Sequence, residues 1–162
     1  MQYLWINPVS AGMCEEDSLK RFLERHGLTR VECRGDWGRI VRERYEASLR
    51  AGVTLADARC PEAVRLLEEI QKEPENESGI ENLKVAPIEP ILLHCARELS
   101  TRPDLADGEK IITTPCQSLS VLGNSLGLEN TRFIAWNRLA GGEVRVRAIE
   151  DSPIPPGYFA GI

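Results

Sequence analysis

Short apolar runs of β-strand type alternate along this chain with longer apolar stripes of helical period. Such alternation is typical of βαβ units, in which each helix returns the chain so that the next strand is parallel to the last. The sequence therefore predicts an α/β fold, a three-layer doubly wound sandwich with a mainly parallel sheet of about five strands. The alternating run 144–149 predicts one further strand, antiparallel and at an edge of the sheet.

The predicted elements follow one another without an internal repeat. Apolar runs predict strands at 2–6, 29–33, 53–57, 110–114 and 132–136. Apolar stripes at helical spacing predict helices at 15–26, 37–50, 61–72, 88–101 and 115–126. Gly123 falls inside the last of these, which predicts that this helix is short or kinked. The acidic, turn-rich stretch 72–79 predicts a solvated loop.

Length and composition are those of a single globular domain. The 162 residues are 42% hydrophobic and 28% charged, which is ordinary for such a domain and sufficient for a buried core. We predict one α/β domain at 1–150 and a proline-rich C-terminal tail at 151–162. The tail carries Tyr158 and Phe159, two aromatic residues that suit a groove on a partner protein or on a second copy of this chain.

Charge and apolar pattern bear on partners and location. A net charge of −5 argues against nucleic acid and anionic membranes as partners, because phosphate binding needs a basic surface. No apolar run approaches the roughly 20 residues of a membrane-spanning helix, and the first residues lack the features of a signal peptide. An odd number of cysteines, five, speaks against a disulfide framework. We therefore expect a cytoplasmic protein.

Four of the five cysteines fall where a predicted strand passes to the next helix. They are Cys14, Cys33, Cys60 and Cys116. The carboxyl ends of parallel strands meet at one edge of a sheet, where open α/β folds place their ligand sites, so we expect these thiols to gather there. Cys95 lies instead in the apolar stripe of its helix and is interpreted as a packing residue.

Cys60 and Cys116 have the most distinctive sequence contexts of the four, since each lies beside a proline at the start of a predicted helix. The first turn of a helix presents unpaired amide N–H groups and a partial positive charge, so a thiolate forms there more readily. We predict that Cys60 and Cys116 are catalytic thiolates. Because several thiols are expected to converge, ligation of zinc or an iron–sulfur cluster by Cys33, Cys60 and Cys116 is preferred over the chemistry of a lone nucleophile.

Polar residues predicted at the same edge complete the expected site. The candidate ligand-binding residues are Arg34, Asp57, Arg59 and Ser118. The two arginines would stabilise thiolates and hold the anionic group of a small ligand. The small-residue loop 7–12 is a second place for a phosphate or carboxylate, although it matches neither the P-loop nor the dinucleotide fingerprint.

An alternative hypothesis belongs to a different functional class. Free cysteine is among the most buried residue types, so the strand-end cysteines can be packing residues. The protein would then be a non-catalytic domain that binds a small anion in its strand-end loops or interacts with another protein. The sequence leaves both hypotheses open.

The segment 57–61, with its Cys-Pro junction, resembles the cluster-ligand segments of some iron–sulfur enzymes, including the LytB-type reductases. Together with the later Pro115-Cys116 junction, it is also similar to the cluster domain of iron-only hydrogenases. Both resemblances imply an iron–sulfur centre as a candidate cofactor. The further cysteine motifs of the hydrogenases are absent from the sequence, so a hydrogenase activity is not implied.

Overall fold

A computed structural model of the protein describes residues 1–51, 55–56, 60–72 and 84–147. Its strands are β1 (Gln2–Trp5), β2 (Leu28–Arg30), β3 (Leu55–Ala56), β4 (Lys84–Val85), β5 (Glu109–Thr114) and β6 (Thr131–Ala135). Its helices are α1 (Pro8–Met13), α2 (Glu16–His26), α3 (Trp37–Arg50), α4 (Pro61–Gln71), α5 (Ile91–Thr101), α6 (Gln117–Ser125) and α7 (Trp136–Ala140). No helix within these residues is both long and apolar enough to cross a lipid bilayer.

Four parallel strands form the main sheet in the order β2-β1-β5-β6. The predicted α/β fold with a mainly parallel sheet is thereby confirmed. From β1 the chain moves outward to β2 on one side, and it later returns to add β5 on the other side. This reversal makes the carboxyl ends of β1 and β5 a topological switch point, where open α/β sheets bind their ligands.

Both faces of the sheet are covered, which gives the three predicted layers. Successive side chains of β1 point to opposite faces. Leu4 belongs to a core cluster that includes Phe22 of α2, whereas Trp5 belongs to a second cluster that includes Leu99 of α5. Burial on both sides explains why parallel strands of this kind are continuous apolar runs in the sequence.

The predicted third strand, 53–57, was expected in the main sheet, and this was wrong for its described part. Leu55–Ala56 pairs with Lys84–Val85 in a separate two-stranded parallel sheet. Among the residues that the structure describes, the main sheet therefore has four strands rather than about five. A run of apolar residues indicates that a segment is extended, but it does not indicate with which strand the segment pairs. The short partner strand β4 has no comparable apolar run, so the sequence did not predict it.

The predicted antiparallel edge strand at 144–149 pairs elsewhere. Its described part makes an isolated antiparallel bridge between Val146 and Cys14, with hydrogen bonds to the backbone around the junction of α1 and α2. The physical reason is α7, which follows β6 directly and packs Ala140 into the core on the α2 side of the sheet. Residues 148–162, with the predicted tail, lie outside the described residues.

The predicted small-residue loop 7–12 is helical, contrary to expectation. The side chain of Asn7 accepts a hydrogen bond from the backbone N–H of Ser10 at 2.9 Å, and Pro8 is the first residue of α1. An asparagine N-cap followed by proline is a strong helix start, and it outweighs Gly12 near the end of the segment.

Gly123 lies within a continuous α6 and allows this helix to pack closely on β6. A Cβ at this position would overlap the ring of Phe133, which is 3% exposed and belongs to the core. We predict that Gly123→Ala lowers the free energy of unfolding by about 1–3 kcal/mol, the usual cost of overpacking a core. Helix propensity alone would favour alanine by about 1 kcal/mol, so urea denaturation shows which effect dominates.

The matched control is Gly38→Ala in the first turn of α3. Nothing lies within 4 Å of a Cβ added there, so this variant should be neutral or stabilised. An equal gain in stability for both variants would contradict the packing role of Gly123.

Candidate functional site

A buried network of hydrogen bonds among Asn7, Ser10 and Thr113 lies at the carboxyl ends of β1 and β5. The backbone N–H of Asn7 donates to the hydroxyl of Thr113 at 2.9 Å. The side-chain amide of Asn7 donates to the same hydroxyl at 3.3 Å and to the hydroxyl of Ser10 at 2.8 Å. None of the three residues is more than 8% exposed. Such a network fixes the start of α1 against β5, because each buried polar group depends on the others for its partner.

Thr114 fixes the start of α6 in the same way. Its hydroxyl donates to the carbonyl oxygen of Cys116 at 2.7 Å and shares a hydrogen bond of 2.5 Å with the hydroxyl of Ser120. Thr114 and Ser120 are buried, whereas Cys116 is exposed. The backbone of Cys116 is therefore held by the buried Thr114 hydroxyl, although the residue itself is exposed.

The first turns of α4 and α6 lie side by side at this edge. The hydroxyl of Ser118 in α6 donates to the carboxylate of Glu62 in α4 at 3.1 Å. Cys60 and Cys116 are the N-cap residues of these two helices, and each precedes the bonded residue by two positions. Neither cysteine side chain makes a capping hydrogen bond. The fold thus places the two predicted catalytic cysteines at neighbouring helix N-termini.

Glu62 carries a negative charge at the centre of this arrangement. The guanidinium of Arg65, one turn along α4, is the main cause that lowers the pKa of the Glu62 carboxyl, and the hydroxyl of Ser118 lowers it further. The predicted ligand-binding residue Ser118 is therefore already bound to a carboxylate. Asp57 and Arg59, two further predicted ligand-binding residues, lie outside the described residues.

Cys33 lies apart from Cys60 and Cys116. It packs against the core cluster beneath α5 that contains Cys95. Interaction with the Cys95 thiol, burial and the charges of Glu98 and Glu32 raise the pKa of the Cys33 thiol, so Cys33 is protonated at neutral pH. Cys95 is 4% exposed, in keeping with its interpretation as a core residue, but no local pattern in the sequence indicated that Cys33 packs against the same cluster.

Glu98 of α5 explains the position of the segment 31–36, the β2–α3 loop. Its carboxylate accepts the backbone N–H of Arg34 at 2.5 Å, that of Gly35 at 3.0 Å and the indole N–H of Trp37 at 2.7 Å. The guanidinium of Arg34 pairs with Asp104 at 2.9 Å, beyond the end of α5. Because α5 returns the chain to the start of β5, this contact lies toward the amino edge of the sheet. Arg34 is therefore bound to an acid away from the expected thiol site.

The three cysteines predicted as metal ligands do not meet. Within the described residues, no group of three or more His, Cys, Asp or Glu side chains is arranged to hold a metal ion. Cys33 packs against the cluster that contains Cys95, while Cys60 and Cys116 cap α4 and α6. In the described part of the chain, the contact between the first turns of α4 and α6 therefore brings together the N-termini that carry Cys60 and Cys116, without Cys33.

Cys14 is buried beside a cavity of about 280 Å³ that Arg30 and Arg147 help to line. Its thiol donates to the carbonyl oxygen of Ser10 at 3.0 Å. Burial raises the pKa of the Cys14 thiol, and the charge of Arg30 offsets this only in part. The sequence could not indicate the cavity, because Arg147 comes from the opposite end of the described chain.

No family model, curated protein or solved structure matches this chain. The iron–sulfur resemblances of the segment 57–61 and of the Pro115-Cys116 junction therefore stay predictions from the sequence. The chemistry of the site has to be inferred from the residues that form it.

The buried network at the switch point yields a stability prediction. Thr113→Val keeps the side-chain shape but removes the hydroxyl that accepts both N–H groups of Asn7, so two buried donors lose this partner. We expect a loss of about 1–3 kcal/mol in the free energy of unfolding, measured by urea denaturation. Thr29→Val on the exposed surface of β2 is the matched control and should change stability little. Equal effects of the two substitutions would show that the network contributes nothing.

The contacts of Glu98 predict acid-sensitive stability. Burial disfavours the charged carboxylate, but the N–H donors of Arg34, Gly35 and Trp37 outweigh it and hold the pKa of Glu98 below its ordinary value. A lowered folded-state pKa stabilises the protein above the unfolded-state pKa of about 4.3, and this contribution is lost as the pH falls through the folded-state pKa.

Glu98→Gln should therefore be less stable than the parent at neutral pH, and the difference should shrink as the pH falls below about 4. Thermal denaturation across this pH range measures the effect. Glu24→Gln on the exposed side of α2 serves as the control for the loss of one negative charge. Parallel pH profiles for Glu98→Gln and the parent would contradict the role of these hydrogen bonds.

Proposed function

We propose that this protein carries out thiol–disulfide exchange through a two-cysteine site, Cys60 and Cys116, at the carboxyl edge of its sheet. The observation that carries the proposal is the hydrogen bond between Ser118 and Glu62, which joins the first turns of the two helices capped by these cysteines. Both cysteines are N-cap residues whose side chains make no capping hydrogen bond, and a thiolate is the attacking species in such exchange.

Exposure assigns different roles to the two thiols. Cys116 is exposed and Cys60 is half-buried, so Cys116 is the thiol that an external disulfide reaches first. The Cys116 thiolate attacks one sulfur of the substrate disulfide, and the other substrate sulfur leaves as a thiolate. Cys60 then attacks the Cys116 sulfur of the mixed disulfide and releases the second substrate thiol. The substrate gains two electrons, and the protein is left with a Cys60–Cys116 disulfide.

A resident metal is the second use of the same thiols. Structural zinc and iron–sulfur clusters take four protein ligands as a rule, so Cys60 and Cys116 would supply half of such a set. The remaining ligands would come from residues outside the described part of the chain or from another protein. We favour exchange over metal ligation because it needs no further residue.

A second candidate function, the binding of a small anion without catalysis, is favoured by a different observation. Arg30 and Arg147 line the cavity of about 280 Å³ beside Cys14. Both guanidinium groups are already in use, since Arg30 pairs with Glu32 at 2.9 Å and Arg147 donates to the carbonyl oxygen of Cys14 at 3.0 Å. A bound anion would compete with these existing partners for the two guanidinium groups, which makes anion binding the weaker of the two candidate functions.

Thiol labelling of the folded protein tests the proposal. Each cysteine lies in a different tryptic peptide, with Cys60 in 60–65 and Cys116 in 111–132, so one digest reports on all five. With limiting iodoacetamide, Cys116 should react first and Cys60 next, while Cys14 and Cys95, 3% and 4% exposed, stay unlabelled as internal controls. Labelling of Cys116 no faster than Cys14 would contradict the proposal.

The exchange step has its own assay, with 5,5′-dithiobis(2-nitrobenzoate) as the model disulfide. The parent should release two thiolates from each reagent molecule and retain a Cys60–Cys116 link. Cys60→Ser should release one thiolate and trap the mixed disulfide on Cys116, and Cys116→Ser should react far more slowly. Ser125→Ala at the other end of α6 is the matched control and should behave as the parent.

Metal analysis after anaerobic purification separates exchange from ligation. We expect no stoichiometric zinc or iron in the parent. One equivalent that is lost in both Cys60→Ser and Cys116→Ser would replace the exchange proposal with a metal centre.

A further inference from the structure

Cys33 and Cys95 bring two sulfur atoms together at a place separate from the proposed exchange site. Cys95 lies on α5 within the core cluster that also contains Leu92 and Leu99, and Cys33 packs against that cluster. The two residues are 62 positions apart in the sequence, yet Arg34, directly after Cys33, is hydrogen-bonded to Glu98, one turn beyond Cys95 on the same helix. A disulfide between them would require their Cα atoms to lie within about 7 Å.

The backbone on either side of Cys33 is held in place by contacts other than the sulfurs. After Cys33, the N–H of Arg34 donates to Glu98, which lies one turn beyond Cys95 on α5. Before Cys33, the carbonyl oxygen of Glu32 accepts a hydrogen bond of 2.8 Å from the guanidinium of Arg102. The β2–α3 loop is therefore fastened to α5 and its extension on both sides of the cysteine, which holds Cys33 against the cluster that contains Cys95.

We propose that Cys33 and Cys95 are a second thiol pair, which closes into a disulfide by exchange with a small-molecule disulfide and so locks the β2–α3 loop onto α5. Cys33 is half-buried and Cys95 is almost fully buried, so the oxidant reaches Cys33. The inference does not depend on the proposed function, because neither Cys60 nor Cys116 takes part.

The exchange balances in two steps. Cys33, as its thiolate, attacks one sulfur of R–S–S–R; the S–S bond breaks, and the R–S⁻ that leaves takes up the proton that Cys33 lost. Cys95, as its thiolate, then attacks the sulfur of Cys33 in the mixed disulfide. The second R–S⁻ leaves and takes up the proton of Cys95. Two electrons pass from the protein to the oxidant, which yields two R–SH.

The environment of Cys33 sets the pH dependence of the first step. Because the Cys33 thiol is protonated at neutral pH, only a small fraction is present as the attacking thiolate. That fraction grows about tenfold for each pH unit below the pKa of the thiol. The Cys33–Cys95 bond should therefore form slowly at pH 7 and markedly faster in mildly alkaline solution.

Peptide mapping of the intact chain tests the inference. Cys33 lies in the tryptic peptide 31–34 and Cys95 in 85–97. The folded protein is incubated with oxidised glutathione at several pH values, remaining thiols are blocked with iodoacetamide, and the digest is run without reductant. We expect a linked species that joins 31–34 to 85–97, forms faster at higher pH and disappears with dithiothreitol. The oxidised protein should also melt at a higher temperature than the reduced protein.

Variants separate this inference from the proposed function. The double variant Cys60→Ser, Cys116→Ser should still form the 31–34 to 85–97 link, whereas Cys33→Ser should not. Cys33→Ser changes a half-buried side chain, and circular dichroism checks that it folds. Three results would each overturn the inference: glutathione that stays on Cys33 while Cys95 remains free, a link from Cys33 to Cys60 or Cys116, and unreacted Cys33 at alkaline pH in a folded protein.

Discussion

Burial of β1 on both faces of the sheet is the constraint on which the rest of the structure depends. Leu4 and Trp5 point to opposite layers and are 0% and 4% exposed, so β1 has to lie between two strands and two layers of helices. That position brings the end of β1 beside the end of β5, where the chain changes direction across the sheet. The backbone there is buried and needs partners, which Asn7 and Thr113 supply. The N-terminus of α6 is placed by the neighbouring Thr114.

Local patterns in the sequence were sufficient for the fold class and for most elements, but not for strand pairing. Strands β1, β5 and β6 and helices α2 to α6 were predicted close to their observed bounds, because the period of the apolar residues is a property of each segment by itself. Pairing depends on distant segments. The sequence pattern around Leu55–Ala56 predicts a strand of the main sheet, yet this segment pairs with Lys84–Val85. Nothing in its own composition distinguishes pairing in the main sheet from pairing in a separate one.

In the candidate site, too, the features that depend on local sequence were predicted, and those that depend on distant residues were not. Proline in the first turn is a local signal, and Pro61 correctly placed Cys60 at the N-cap of α4. Pro115 was expected to open the later helix, but it precedes the N-cap Cys116, and α6 begins at Gln117. The position of Cys33 depends instead on a carboxylate far along the chain. Glu98 accepts three N–H groups from Arg34, Gly35 and Trp37, and in the sequence it resembles any acidic residue on the polar side of a helix. The position of Cys33 therefore depends on a contact between distant residues, and no spacing of residues in the sequence predicts it.

Four of the cysteines lie at two separate places in the fold. Cys60 and Cys116 are the N-cap residues of α4 and α6, and Cys116 is exposed whereas Cys60 is half-buried. Cys33 and Cys95 lie under α5, and the β2–α3 loop above them is held by Glu98 and Arg102. Exchange of partners between the pairs would require those hydrogen bonds to break first. Under the two proposals made above, the hydrogen bonds that hold the loop therefore also separate the chemistry of Cys33 and Cys95 from that of Cys60 and Cys116.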